Sequence, residues 1–152
     1  MHTVFFLCWK NSRIVNAEGF LQATFEAGGV EILVGLLFSG SPMAQANASY
    51  LLANLILALE TSSVKVKEIG TIKSLFKLLG PENDLSVHAE AAGALQALSS
   101  KLDSGKRSLV DAGGIPVFIS AILAPSKEFA CGAPVQALQE NAIGVLANIS
   151  GF

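Results

Sequence analysis

The chain has 152 residues, 51% of them hydrophobic and only 14% charged, with a net charge of −2 and a mean hydropathy of +0.54. That balance excludes generic nucleic-acid binding, which needs a concentrated basic surface; seven of the ten basic residues do fall between Lys65 and Arg107, but five acids share the stretch. No apolar run approaches the roughly 18 residues of a membrane span, so direct membrane insertion is not expected, and the isolated Cys8 and Cys131 offer neither a disulfide framework nor a metal cluster.

In chain order, Thr3–Trp9 is apolar but short and has no basic region before it, so it is not a secretory signal. Residues 1–25 match nothing later in the chain and stay unassigned. After the helix-breaking pair Gly28-Gly29, apolar residues at 30, 33, 34 and 37 trace the i, i+3, i+4, i+7 stripe of an amphipathic helix. Ser39-Gly40-Ser41-Pro42 stops it, with Pro suited to the first turn of the next helix. From Met43 to about Leu59 the pattern is helical, Ala-rich and apolar almost all round, which predicts a helix buried between neighbours. A short helix over about 64–68 leads to the next Gly. The same grammar returns with a medium helix over 72–79, a turn over 80–84 and a long helix over 86–100. It returns again with a medium helix over 115–123 and a long one from about Pro134 to Ile149.

The repetition is literal. Glu26-Ala27-Gly28-Gly29-Val30, Glu68-Ile69-Gly70-Thr71-Ile72 and Asp111-Ala112-Gly113-Gly114-Ile115 each open a Leu- or Ile-rich run, 42 and then 43 residues apart. Leu51-Leu52-Ala53-Asn54-Leu55 matches Ala94-Leu95-Gln96-Ala97-Leu98 and Val145-Leu146-Ala147-Asn148-Ile149, the last interval stretched to 51 by a Pro- and Gly-containing loop over 124–133. Helical repeats of about 40–47 residues are the signature of an armadillo or HEAT solenoid. The expectation is therefore an all-α, right-handed superhelical solenoid of about three armadillo repeats, at about 26–67, 68–111 and 112–152. Such arrays need polar capping repeats at their ends, and an apolar helix running to Phe152 suggests a fragment of a longer protein.

Within armadillo arrays the long helices line a concave groove, and an Asn amide there can clamp the main chain of an extended peptide because it both donates and accepts. Asn54 and Asn148 occupy that slot, with Ala97 in the middle repeat. Tyr50 lies one turn before Asn54 on the same face, where an aromatic wall suits apolar stems or cations; its counterparts are Gly93 and Gly144. Asn47, Glu90 and Asn141 complete a mixed polar row. The alternative reading has Asn54 and Asn148 satisfying backbone groups between neighbouring repeats, and Tyr50 packing. Catalysis finds little support: His2 and His88 are the only histidines, with His88 expected at the surface, and no Ser or Cys has an activating context. Gly28-Gly29 and Gly113-Gly114 lack the continuation of a phosphate loop. Lys101, Lys106 and Arg107 fall on what reads as a solvated segment between helices.

Gly40-Ser41-Pro42-Met43-Ala44-Gln45-Ala46-Asn47-Ala48-Ser49-Tyr50 through Leu55, Lys77-Leu78-Leu79-Gly80-Pro81-Glu82-Asn83-Asp84, Ala89–Leu95, Ala124-Pro125-Ser126-Lys127-Glu128-Phe129 and Gln136–Ala142 with Leu146–Gly151 resemble the plant cellulose synthase-interactive proteins over roughly residues 26–152. The resemblance implies a non-catalytic armadillo scaffold, without cofactor or metal, that links cellulose synthase complexes to cortical microtubules in the cytoplasm at the plasma membrane. The family's arrays are long and end in a C2 domain, which this sequence lacks, so no lipid or calcium role is carried over. Two alternatives are the target-recognition repeats of a plant U-box ubiquitin ligase and a truncated, non-functional copy.

Overall fold

The computed structural model describes residues 14–59, 66, 70–123 and 133–151, with side chains described from residue 19 onward. Among the described residues there are eight helices and no strand: α1 (Ile14–Glu26), α2 (Gly29–Ser39), α3 (Pro42–Ala58), α4 (Thr71–Leu78), α5 (Leu85–Lys101), α6 (Asp103–Asp111), α7 (Gly114–Leu123) and α8 (Ala133–Ser150). The medium and long helices stand within a residue or two of their predicted bounds. The expected short helix near 64–68 falls outside the described residues except for Val66, which is helical and fully buried.

Three long helices carry the architecture. The most extensive contacts in the molecule are α3 against α5 and α5 against α8, while α2, α4 and α7 each pack on the long helix of their own repeat. On α2, Val30, Leu33, Val34 and Leu37 are buried, the stripe expected from their spacing. Ser41 caps α3 by accepting a hydrogen bond from the Ala44 amide at 3.3 Å, and Pro42 fills the first turn, where its missing N–H costs nothing.

The repeat phrase has a conformational cause. Gly28, Gly70 and Gly113 hold φ of 80°, 74° and 77°, the left-handed region that residues with a Cβ avoid, and each turns the chain sharply into a medium helix. No non-glycine residue has positive φ among the described residues. A second repeated device sits at the far end of those helices. Gln45 donates to the Leu37 carbonyl at 3.2 Å, His88 Nε2 lies 2.9 Å from the Gly80 carbonyl, and Gln139 donates to the Ile122 carbonyl at 3.3 Å. These three occupy one slot of the long helix and satisfy carbonyls left open where a medium helix ends. The expectation of a surface His88 gives way here: the ring is half-buried, and a carbonyl partner requires the proton on Nε2.

Three further differences have plain reasons. It is α5, not α3, that is buried on both sides: Ala89, Ala91, Ala92, Ala94 and Ala97 are all in the core with Leu95 and Leu98, because α5 alone has a described long helix on each flank. On α3, Met43, Asn47, Tyr50 and Leu57 are exposed. Residues 14–25, left unassigned by sequence, form α1 together with Glu26, and α1 packs on α2 and α3. The basic segment over 99–107 is not a linker, since α5 runs to Lys101 and α6 begins at Asp103. The expected loop over 124–133 lies outside the described residues up to Ala133, which opens α8.

No single described helix is long and apolar enough to cross a membrane. Gly19–Glu26 with α2 would pass by length and composition, but the two are bent by 78°.

Candidate functional site

The long helices place the predicted residues in three parallel rows. The first holds Asn47, Glu90 and Asn141, the second Tyr50, Gly93 and Gly144, the third Asn54, Ala97 and Asn148. Asn47 and Tyr50 are exposed, Tyr50 at 49%, while Asn54, Glu90, Asn141 and Asn148 are half-buried. Ala97 is 3% exposed and belongs to the core. Tyr50 therefore stands clear of the packing, one turn from Asn54 on the same face.

What the side chains bond to separates the rows' two ends. Asn141 Nδ2 donates to the Ala89 carbonyl at 3.0 Å, and Asn148 Nδ2 donates to Ser99 Oγ at 2.9 Å, both across the α5–α8 seam. Ser99 Oγ in turn donates a hydrogen bond to the Gln96 carbonyl at 2.8 Å, so the amide, the hydroxyl and the helix backbone form one hydrogen-bonded chain. The second row joins in through volume rather than polarity. A Cβ on Gly144 would overlap the Gln96 side chain, and one on Gly93 would stand 3.2 Å from Asn141 Nδ2. Each glycine is thus the hollow into which a polar side chain of the adjoining long helix fits. No hydrogen bond of the Asn54 or Asn47 side chain is present among the described residues.

The structure thus brings Asn47, Tyr50 and Asn54 together as an accessible strip on α3, continued by Glu90 on α5. Asn141 and Asn148 do the work of holding repeats in register. Sequence reasoning did not single out Ser99 or Gln96. The signal was available in the alignment of the repeats: Ser99 matches Ile56 and Ser150, so a hydroxyl stands in a slot that is otherwise aliphatic in the first repeat.

Charge is sparse. Among the described residues no group of three or more His, Cys, Asp or Glu side chains is arranged to hold a metal ion. On α6, Lys106 pairs with the exposed Asp103 at 2.8 Å. That hydrogen bond, and then the ammonium charge, hold the Asp103 carboxyl below the usual carboxylate range.

Residues 19–56 match the Armadillo/beta-catenin-like repeat family, a stretch that begins within α1 and ends near the end of α3. Over 134 residues, 88% of this chain, the sequence is 48% identical to Protein CELLULOSE SYNTHASE INTERACTIVE 3 of Arabidopsis thaliana. It is 40% identical, over the same share, to Protein CELLULOSE SYNTHASE INTERACTIVE 2 of that plant. The chain spans 6% of the length of each of these relatives. Among solved structures, a designed armadillo repeat protein in complex with the peptide (KR)4 matches with a TM-score of 0.70 and 25% identity, over 86% of this chain and 50% of that one. The translational order of the helices and these likenesses agree on an armadillo solenoid.

Proposed function

Because this chain is an armadillo-repeat solenoid that resembles the cellulose synthase-interactive proteins, we propose that it is a non-catalytic scaffold, a segment whose long helices present a concave strip to protein partners. The observation that carries the reading is the strip on α3 made by the exposed Asn47 and Tyr50 and the half-buried Asn54, continued by the half-exposed Glu90 on α5. An aromatic ring with a free edge and an unengaged amide one turn away is what an extended main chain or a partner helix needs. The ring buries apolar stems at small entropic cost, and the amide reads backbone without regard to sequence. The interruption by Gly93 and Ala97 argues for a selective contact rather than a repetitive peptide clamp.

The partners proposed are those that the resemblance implies: the cellulose synthase complex and, with it, cortical microtubules, at the cytosolic face of the plasma membrane. The likeness to proteins named for interaction with cellulose synthase supports this, as does a structural relative that holds a peptide.

Two measurements test the reading. The chain should be retained by an immobilised cytosolic region of a cellulose synthase, and it should co-sediment saturably with microtubules. Tyr50→Ala combined with Asn54→Ala should weaken retention by about 2 kcal/mol, the loss of one aromatic anchor, with helix content unchanged by circular dichroism. Equal retention of the wild type and the double variant would remove the strip from the account, and no retention at all would remove the partner.

A further inference from the structure

Among the described residues the buried polar side chains are Ser49, Thr71, Ser74 and Ser99. Ser49 donates to the Gln45 carbonyl at 2.9 Å and Ser99 to the Gln96 carbonyl at 2.8 Å, each within its own helix. Thr71 Oγ1 and Ser74 Oγ have no hydrogen-bond partner among the described residues. Both belong to α4, three positions apart on one face. A hydroxyl buried this way gives up its hydration and receives nothing in return.

Neither residue is what the repeat uses at its slot. Thr71 matches Gly29 on α2 and Gly114 on α7, and Ser74 matches Ile32 and Val117. At Gly114 the missing side chain is a packing need: a Cβ there would stand 2.7 Å from the Leu109 carbonyl and 2.9 Å from the Phe76 ring. At Gly29 it would stand 2.6 Å from the Thr24 carbonyl. Thr71 puts a branched, polar side chain into the same hollow. The face in question is turned toward the first repeat. Ser74 and Leu78 are buried, whereas Ile32 and Leu36, in the same slots on α2, are exposed, so it is α2 that covers them. The two seams of α4 therefore differ. Toward α7 it is closed by Phe76 against Gly114 and by the Phe76–Phe118 pair at 5.7 Å. Toward α2, the slot of Phe76 holds the smaller Val34, and the facing slots hold the two unpaired hydroxyls.

We infer that the contact between α2 and α4 is a hinge operated by water. Water entering between these helices pairs the Thr71 and Ser74 hydroxyls, and the regained hydration offsets the apolar contact given up. The long helices α3 and α5, whose contact is among the most extensive in the molecule, stay packed and serve as the pivot. The second joint has no such exchange: opening α4 from α7 exposes two aromatic rings, and the α5–α8 seam is tied by amide hydrogen bonds. Bending of the solenoid thus concentrates between the first and second repeats, where it changes the angle at which α3 and α5 present their concave sides. The joint lies between two described repeats, so it is the same whatever repeats adjoin this chain. It engages none of Asn47, Tyr50 and Asn54.

Dipolar electron paramagnetic resonance on the full chain tests the hinge. Gly35, Lys77 and Ser120 share one exposed slot on α2, α4 and α7. With Cys8→Ser and Cys131→Ser as background, nitroxides on Gly35→Cys and Lys77→Cys should give a broad, two-peaked distance distribution. Lys77→Cys with Ser120→Cys should give a single narrow one. Thr71→Val and Ser74→Ala remove the hydroxyls at nearly constant volume. Together they should collapse the first distribution onto its shorter peak and leave the second unchanged. Amide hydrogen exchange in α4 should slow by roughly tenfold for each hydroxyl removed, while α8 keeps its rates. If Thr71→Val loses helix content by circular dichroism, Ser74→Ala alone carries the test, with a single tenfold step. A wild-type α2–α4 distribution as narrow as the α4–α7 one overturns the inference. Unchanged or faster exchange in the variants also overturns it, because the hydroxyls are then satisfied in the closed state. Equal slowing in every helix does the same, since the whole fold then opens and not one joint.

Discussion

The α3–α5 and α5–α8 seams join equivalent helices, yet they are built differently. At the slots where α8 carries Asn141, Gly144 and Asn148, α5 carries Glu90, Gly93 and Ala97, and where Ser99 faces α8, Ile56 lies on the other side of α5. One seam is closed by two amide hydrogen bonds and a glycine hollow. The other is dominated by small and aliphatic residues, among them Ala91, Ala94, Ala97, Leu52 and Ile56. Only two residues, 40 and 41, separate α2 from α3, and six, 79 to 84, separate α4 from α5, so the chain itself limits how those long helices slide and rotate. Apolar contact is non-directional, and across the α5–α8 seam hydrogen bonds with fixed partners set the register.

The largest effect expected comes from the helix that belongs to both seams. Leu95 is fully buried on α5, and Leu95→Ala should cost about 2–5 kcal/mol, the range for a cavity in a core that relaxes only partly. Urea denaturation followed by circular dichroism measures it. Because α5 ties the first repeat to the third, loss of cooperativity should accompany the loss of stability, seen as a broadened transition. A sharp, unshifted transition would show that the two seams do not share one core.

An exchange of residues between the seams should have opposite outcomes at one slot. Ala97→Asn puts an amide at a 3% exposed position whose neighbour across the seam is aliphatic, so it should destabilise by about 1–3 kcal/mol, the cost of a buried polar group without a partner. Asn148→Ala removes an amide that has a partner but is only half-buried, and Ser99 keeps its bond to the Gln96 carbonyl. Its cost should be about 0.5–1 kcal/mol. Restoring the lost partner by Ile56→Ser in the Ala97→Asn background should recover part of the first loss. If it recovers nothing, the polar closure is not transferable, and local backbone geometry rather than residue identity makes the α5–α8 seam.

Much of the fold could be read from the chain because its period is carried by residues with one conformational meaning. Positive φ demands glycine at 28, 70 and 113, and the stripe at 30, 33, 34 and 37 fits only a helix with one buried face. Helix α1 was harder to see, since Ile14–Glu26 shares with α6 only the acidic residue that ends each helix and opens the glycine phrase; the two are alike in their place before a medium helix, not in sequence. The candidate strip was legible by slot and not by state. Asn54 and Asn148 are the same residue in the same slot, and what separates them is the helix alongside: α5 lies beside α8 and offers Ser99, whereas no described long helix lies on the other flank of α3. Contact across repeats depends on the neighbour's side chain and on the tilt between helices, and neither is written in the local pattern. The same holds for His88, whose role appears only when Gln45 and Gln139 are seen doing the same work.

The smallest effect expected lies on α6, away from both seams. Asp103 sits in the first turn of that helix, where a carboxylate also meets the positive end of the helix dipole, and its pairing with Lys106 depresses its pKa. The sign follows from linkage. A carboxyl whose folded-state pKa lies below its unfolded-state value contributes stability above the unfolded value and loses it as pH falls through the folded one. Lys106→Ala removes the hydrogen bond and the charge together, so Asp103 should titrate at higher pH, toward the ordinary carboxylate range, and its share of acid-dependent stability should shrink. Asp103 is open to solvent, so thermal melts at neutral pH should barely move, in contrast to Asn148→Ala. An NMR titration of the Asp103 carboxyl carbon reads the shift directly. If that titration does not move, the open amides at the start of α6, rather than Lys106, hold the carboxyl down, and the ion pair is a consequence of where the helix begins.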